Sequence, residues 1–355
     1  MTTITRKLAG NVVTIFNGGS FVAQNVVARL GKAGAQMVLG YRGAGYREEK
    51  SKMAAGVGQM YLAKYHLKDE DSLYEAMRHS NIVINCIGKE NETKNFSFND
   101  VHVEGPRRMA RIAREIGVEK FIHLSAMNVS PNPTPICLKN GSQFLRSKYY
   151  GELAVREEFP EAIIFRPADV LGDRDNFINH FGSMQRCRYT RKLAIWDYYY
   201  QVKKRPIWIK DLVSGIEQAI LQNTANGKTF QAVGPYEYDF YDLIEYIRSC
   251  AGQGKKLDEG EITNLRWDPW MRMVIFMVER LQKYPFLTWE RVERDSHSDI
   301  LDRKLPTLTD LGVELTPIEM NLMTLAYYRP RMHRHEVPYE KAQVIDWPKR
   351  LNVAV

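Results

Sequence analysis

Short apolar runs and longer mixed stretches alternate at a steady spacing through the first 235 residues. The runs at 11–16 (NVVTIF), 36–40 (QMVLG), 59–63 (QMYLA), 81–86 (NIVINC), 119–125 (EKFIHLS) and 161–166 (EAIIFR) predict strands, being short and rich in β-branched and aromatic residues. Between them, 25–33 and 107–116 place apolar residues three and four positions apart, which predicts helices with one buried face. Strands alternating with helices fold as a parallel sheet covered on both faces. The pattern therefore predicts an α/β fold, a Rossmann-like doubly wound parallel sheet, followed by a smaller C-terminal mixed or helical lobe.

After Gly234 the pattern changes. DFYDLIEYIRSC reads as a helix, AGQGKKLDEGE as a Gly- and charge-rich connector, 265–281 as a second helix, and the remainder as a Pro-punctuated tail. The predicted organisation is an N-terminal arm (1–10), a Rossmann-like nucleotide-binding domain (11–235), a C-terminal lobe with an amphipathic helix (236–335) and an extended tail (336–355). There is no internal repeat. The apolar run 273–278 is bounded by Arg272 and Glu279, far short of the roughly 18 residues a membrane span needs. A soluble or peripheral protein is expected.

With 44% hydrophobic and 26% charged residues in 355, the composition is globular and excludes disordered and collagen-like classes. Four cysteines (Cys86, Cys137, Cys187 and Cys250) form no CxxC and no Cys/His cluster, so neither a disulfide framework nor a structural zinc site is expected. The net charge of +8 leaves nucleic acid, anionic lipid or an acidic partner open. The start, MTTITRKLAG, is hydroxylated, basic and free of acids, and reads equally as the stub of a matrix-type transit peptide or as a plain arm.

Candidate chemistry begins at the first strand-to-helix junction, where an open α/β sheet binds a pyrophosphate. The junction is Asn17, Gly18, Gly19, Ser20, Phe21, Val22, Ala23. A GxxGxxG loop would have glycine at 17, 20 and 23. Asn17 tolerates positive φ, Ala23 fits a packing position, and Ser20 adds a Cβ where phosphates approach. At the end of the second strand an NAD site would carry an acid for the ribose 2′-hydroxyl, whereas this chain has Arg42, whose planar fork suits a 2′-phosphate. A bound nucleotide would then be NADP(H).

Further along, Ser125 closes a strand, and Phe144, Lys148 and Glu152 follow one another at four-residue steps. Extended short-chain dehydrogenases carry Ser, Tyr and Lys in this arrangement; the YxxxK step puts both side chains on one helix face, so the ammonium lowers the phenol's pKa. Here the tyrosine position is Phe144, which has no proton to give. Tyr149 and Tyr150 point elsewhere, since one residue turns a helix by roughly 100°. No catalytic residue is assigned, and Lys148 is left as a candidate for the nicotinamide ribose.

These residues, together with SNIVINCIG, ENETKNFSFNDVHVEGPRRMARIAREIGVEKFIHLS, FPEAIIFRPADVLGDRDNFINHF, ANGKTFQAVGP and DLGVELTPIEMNLMTLAYYRPR, resemble one family over residues 11–335. It is that of the nucleotide-binding accessory subunits of mitochondrial respiratory complex I (NADH:ubiquinone oxidoreductase), atypical extended short-chain dehydrogenase/reductases. The resemblance implies a non-catalytic subunit with bound NADPH. It also implies a peripheral position on the matrix side of the inner membrane, beside other subunits of the matrix arm and quinone region, and a role in assembly or stability. Carried over by position, it implies a phosphate loop at Asn17 to Ala23, a 2′-phosphate arginine at Arg42, a ribose loop at Ile87 and Gly88, a ribose lysine at Lys148, and backbone beside the nicotinamide at Pro167 and Ala168. The chain departs from the family at the glycine-poor loop, at His66 in place of an acid, and at Phe144.

Two readings compete with that one: an NADP-dependent reductase or epimerase with a non-standard acid, and an RNA- or lipid-binding relative of the same fold. The last rests on 183–212, which carries eight Lys/Arg against two Asp, interleaved with Trp196, Tyr198, Tyr199, Tyr200 and Trp208. Nucleic acid, an anionic lipid surface and a solvated rim all fit that stretch. In 265–281, Trp267, Trp270, Met271, Val274, Met277, Val278 and Leu281 recur at helical spacing beside Arg266, Arg272 and Arg280. A core-facing helix explains the stripe; Met273, Ile275 and Phe276 widen it toward a partner or lipid contact. Seen whole, the charge suits a large assembly beside an anionic membrane better than nucleic acid.

Overall fold

The computed structural model describes residues 7–43, 45–54, 56, 58–173, 175–182, 193–197, 201–250, 262–282, 285, 287–321, 348 and 350–353. The connector 251–261, much of the basic stretch with Tyr198 to Tyr200, and most of the tail lie outside them.

Seven strands, β1 (Val12–Phe16), β2 (Gln36–Tyr41), β3 (Met60–Lys64), β4 (Ile82–Asn85), β5 (Lys120–Leu124), β6 (Ile163–Pro167) and β7 (Thr229–Ala232), form one sheet in the order β7-β6-β5-β4-β1-β2-β3. All neighbouring pairs are parallel. Six of these strands are those the pattern predicts, with ends moved by a residue or two. β7 escapes the pattern because TFQA is short and becomes a strand only as the partner of β6.

Five helices cover the two faces: α1 (Phe21–Lys32), α2 (Glu70–Met77), α3 (Gly105–Ile116), α4 (Gln143–Glu158) and α5 (Ile209–Leu221). On one face, Val26, Val27 and Leu30 of α1 and Leu212, Val213 and Ile216 of α5 pack on Val13, Ile15 and Leu39. On the other, Leu73, Met109, Ile112 and Val155 pack on Phe16, Val83 and Phe121. Each such side chain, taken fully out of water, contributes about 1.5–3 kcal/mol. The first helix starts four residues before the predicted 25–33, because Ser20 caps it, its hydroxyl accepting from Ala23 N at 3.2 Å. Before α3 the chain makes a wide π-type turn at Asp100–Glu104. Here α4 approaches so closely that a Cβ on Gly151 would lie 2.0 Å from the His102 carbonyl oxygen.

A second core gathers Leu171, Phe177, Phe181 and Trp208 with Tyr238, Phe240, Leu243 and Ile247, the last four on or just before α6 (Phe240–Cys250). Two further helices follow, α7 (Pro269–Leu281) and α8 (Trp289–Asp295). The predicted helix 265–281 is corrected to α7: Asp268 caps it, accepting from Met271 N at 3.0 Å, and Pro269 fills its first position. Leu265 and Trp267 therefore precede the helix. The stripe also divides. Met271 and Ile275 are buried against Leu265 and Val292, while Trp270, Met273, Phe276, Met277 and Leu281 face out. Among the described residues, no helix is long and apolar enough to cross a membrane.

Candidate functional site

A cleft of about 1130 Å³ opens at the carboxyl ends of the strands, where the strand order reverses between β1 and β4. Asn17, Gly19, Ser20, Phe21, Val22, Ile87, Gly88, Ser125, Phe144, Lys148, Pro167 and Ala168 line it. Gly18 lies beneath, where a Cβ would come within 3.3 Å of Leu39 Cβ. Ala23 is fully buried, Arg42 sits outside the lining beyond β2, and Tyr149 and Tyr150 meet edge-on away from it.

At the nucleotide end, Asn17 takes the left-handed conformation (φ 62°) that glycine holds in a dinucleotide loop, and its amide donates to the Cys86 carbonyl at 3.2 Å. That bond ties the end of β1 to the end of β4. Ser20 spends its acceptor on Ala23 N, while the N–H groups of Phe21 and Val22, in the first helical turn, have no partner within the helix. Ile87 N donates to Asn85 Oδ1 at 2.9 Å, fixing the loop after β4.

Beneath the middle of the cleft, Lys148 is buried and donates to the Leu124 carbonyl at 2.9 Å. Burial pushes its ammonium down to about 8, against the opposing pull of Glu152 and Cys86. Glu152 itself makes a two-point bond to Arg166 at 2.9 and 2.6 Å. The buried Ser125 hydroxyl has no hydrogen-bond partner, although a lone buried hydroxyl costs about 1–3 kcal/mol. An orphan hydroxyl beside a buried, destabilised ammonium fits a ribose, whose hydroxyls would satisfy both. The residues present therefore fit a dinucleotide. Among the described residues, no group of three or more His, Cys, Asp or Glu side chains is placed to hold a metal.

Phe144 is buried, its ring edge-on to His102 with centroids 5.1 Å apart. The Arg294 guanidinium carbon lies 4.3 Å from the ring centroid, a cation–π contact at the wall of the cleft. His102 is neutral: burial and nearby Lys148 hold it well below the usual imidazole range. Its Nε2 accepts from Lys89 N at 3.1 Å, and its Nδ1 pairs with Ser147 Oγ at 2.7 Å. It is held at both nitrogens and has no route to a substrate.

The far end of the cleft is filled with charges that cancel one another. Lys204 lies 3.6 Å from Asp169 and 3.9 Å from Asp299. Burial opposes its charge, yet the two carboxylates hold its pKa above the ordinary value. Arg291 and Arg294 share Glu90 at 3.3 and 3.7 Å, and Arg291 also reaches Asp295 at 3.6 Å. Outside the cleft, Lys203 and Arg205 meet Glu237. Of the basic stretch, these three cations are thus spent on acids rather than offered to an anionic surface.

What locks this arrangement is α8. Glu293 is fully buried and accepts from the N–H groups of Ile136, Cys137 and Leu138 at 2.8, 2.5 and 2.9 Å. Glu290 accepts from Ser142 Oγ and Gln143 N, each at 2.8 Å, at the start of α4. Two carboxylates thereby staple α8 across the loop in front of Phe144. Sequence reasoning missed Arg294, Glu290, Glu293, Glu90 and Lys204. The one local signal was Thr288, whose hydroxyl accepts from Arg291 N at 3.2 Å and starts α8.

The fold and site define a class: a Rossmann-type dinucleotide fold with a buried phenylalanine, Phe144, one helical turn before a buried lysine, Lys148. Residues 16–233 match the model of the NAD dependent epimerase/dehydratase family. The chain is 36% identical over 88% of its length to the mouse protein NADH dehydrogenase (ubiquinone) 1 alpha subcomplex subunit 9, mitochondrial, covering 79% of it. It is 26% identical to the NADH-ubiquinone oxidoreductase 40 kDa subunit, mitochondrial, of Neurospora crassa, over 94% of this chain and 82% of that one. A solved UDP-glucuronic acid 4-epimerase from Bacillus cereus, in complex with UDP-glucuronic acid and NAD, shares the fold at a TM-score of 0.62, with 14% identity over 89% of this chain and 98% of that one. The chain belongs to the NAD dependent epimerase/dehydratase family and, within it, to the complex I alpha subcomplex subunit 9 proteins.

Proposed function

We propose that the chain is a non-catalytic accessory subunit of mitochondrial complex I, on the matrix side near the quinone region, supporting assembly and stability with NADPH held as a structural element. The observation that carries this reading is Phe144: in a chain like complex I subunits along most of its length, the side chain a reductase needs to move a proton is a buried phenylalanine covered by Arg294. A bound nicotinamide supplies hydride. At the position where such a donor would stand this chain has Phe144, with the Arg294 guanidinium against its ring. Asn17, Gly18, Gly19, Ser20, Phe21 and Val22 would hold the pyrophosphate, Ile87 and Gly88 the adenosine ribose, Lys148 and Ser125 the nicotinamide ribose, and Pro167 and Ala168 the ring's edge.

The outward face of α7 is the docking element of this reading. Trp270 and Phe276 are 67% and 61% exposed, with Met273, Met277 and Leu281 beside them and Arg280 and Arg272 flanking. Apolar side chains rimmed by arginine suit a contact made in the assembly beside anionic lipid. Trp270→Asp with Phe276→Asp is expected to leave the thermal midpoint of the purified chain unchanged, since both side chains are largely in water. Incorporation into complex I, read on a native gel from cells expressing the variant alone, is expected to fall severalfold. Normal incorporation would exclude α7 as the docking face.

A further inference from the structure

Three strand ends that line the cleft each carry, a few residues on, a side chain tied to α8 or to the segment after it. After β4, Ile87 and Gly88 line the cleft and Glu90 follows. Its carboxylate accepts from Arg291 at 3.3 Å and from Asn176 Nδ2 at 2.8 Å, and lies 3.7 Å from the Arg294 guanidinium. After β5, Ser125 is followed by Asn128, whose amide donates to the Ser298 carbonyl and whose oxygen accepts from Ile300 N, each at 3.0 Å. After β6, Pro167 and Ala168 are followed by Asp169, which holds Lys204 at 3.6 Å; Lys204 in turn donates to the Arg294 carbonyl at 3.3 Å.

Behind α8 stands α7. Val292 of α8 and Leu287 pack on Met271 and Ile275, the buried side of the helix whose other side exposes Trp270 and Phe276. Contacts therefore run without a break from the strand ends through α8 to the back of the exposed α7 face. Glu290 and Glu293 fix α8 mainly to 136–143, none of which lines the cleft, so those bonds do not depend on what the cleft holds. Of the three strand-end side chains, Glu90 is the one that meets α8 side chains directly. It is 41% exposed, so water competes for its carboxylate, and the pairs gain little unless the loop that carries it is already ordered. A ribose seated on Ile87 and Gly88 orders that loop in advance, and the pairs with Arg291 and Arg294 then form at less entropic cost.

We propose that nucleotide binding and the seating of α8 and α7 are coupled, and that Glu90 is the positioning residue that couples them. A dinucleotide in the cleft fixes the loop after β4, Glu90 holds Arg291 and Arg294, and α8 sets the outward face of α7 for docking. The proposal rests on the nucleotide reading above and deepens it, by giving the bound nucleotide a route to the docking surface. The coupling is reciprocal: the factor by which the nucleotide protects α8 is the factor by which a seated α8 tightens the nucleotide.

The test is hydrogen–deuterium exchange of the purified full-length chain, without and with saturating NADPH, resolved by peptide and paired with calorimetric titration of NADPH. In the wild-type chain NADPH is expected to slow exchange in 17–32 and also in α8 and α7, there by about fivefold or more, the low end of couplings between sites. Glu90→Ala should still bind NADPH and protect 17–32, yet lose most of the NADPH-dependent protection of α8 and α7 and bind NADPH more weakly by a similar factor. The change on adding NADPH is the readout, because a merely structural role for Glu90 would shift exchange equally with and without nucleotide. Glu75→Ala, at an exposed acid on α2, should match the wild type. If NADPH leaves α8 and α7 unprotected in the wild-type chain, or protects them equally in Glu90→Ala, the coupling alone is overturned. A wild-type chain that binds no NADPH overturns the nucleotide reading and the coupling with it.

Discussion

The two ends of the cleft treat charge in opposite ways. At the nucleotide end, donors and a cation are left without a carboxylate partner: the first amides of α1, the Ser125 hydroxyl and Arg42. At the far end every charge has a protein partner, with Lys204 between Asp169 and Asp299, and Arg291 and Arg294 on Glu90. A site that keeps positive charge unspent is ready for an anionic ligand. One whose charges are paired within the protein presents little net charge to a substrate. On this reading the chain has kept one half of a dehydrogenase site and turned the other into structure.

The largest effect should come from the closed half. Glu293→Ala leaves three backbone N–H groups without their acceptor and is expected to lower stability by about 3 kcal/mol or more. Chemical denaturation measures it directly; a loss under 1 kcal/mol would show that α8 is not what closes the site. The pH profile carries the same information. Burial pushes the Glu293 carboxyl up, but His297 and the three N–H donors outweigh it and leave its pKa below the ordinary 4.5. Its contribution is therefore present above pH 4.5 and is lost as pH falls below that value. Glu293→Gln should flatten this acid limb.

The open half should respond in the opposite sense. The Lys148 ammonium, ordinarily near 10.5, is held near 8, so at neutral pH the fold carries a buried charge at a cost. Between about pH 8 and 10.5 the unfolded chain binds the proton more tightly than the folded one, and stability from this group rises with pH. Lys148→Met should raise the stability of the nucleotide-free chain by about 2 kcal/mol at pH 7, abolish that alkaline rise, and reduce the nucleotide retained on purification. A variant that loses stability would mean that Lys148 serves the fold rather than a ligand.

The smallest effect tests the boundary between the halves. Phe144→Tyr adds a phenol at the position proposed to have lost one, but the Arg294 guanidinium lies against that ring and its charge is shared with Glu90. NADPH oxidation by the variant, assayed against simple aldehydes and ketones, should match the wild-type chain. Turnover appearing with that single hydroxyl would show that the far half still admits substrate.

Much of the open half was legible in sequence because its elements are local. The spacing of Phe144 to Lys148 fixes a shared helix face, and the position of Arg42 follows from the end of one strand. Ser20 was half legible: its Cβ was seen as an obstacle near the phosphates, whereas its N-cap role follows from a helix starting at Phe21. The closed half was not legible. Glu290, Glu293 and Arg294 reach their partners across 146 to 157 residues or more of chain, and only tertiary packing brings them there. The α7 stripe shows the same limit. Periodicity marks which residues share a face, and Leu265 and Val292 decide which of them is covered.

The central claim is that the nucleotide half of the cleft holds NADPH while the far half pairs its charges within the protein. Denaturing purified native complex I that contains this chain, and identifying the released nucleotides by mass spectrometry, tests it most directly. The account predicts NADPH in equal amount to the chain, and its loss when Arg42 is replaced by alanine. NAD(H) in its place, or no nucleotide at all, would contradict it.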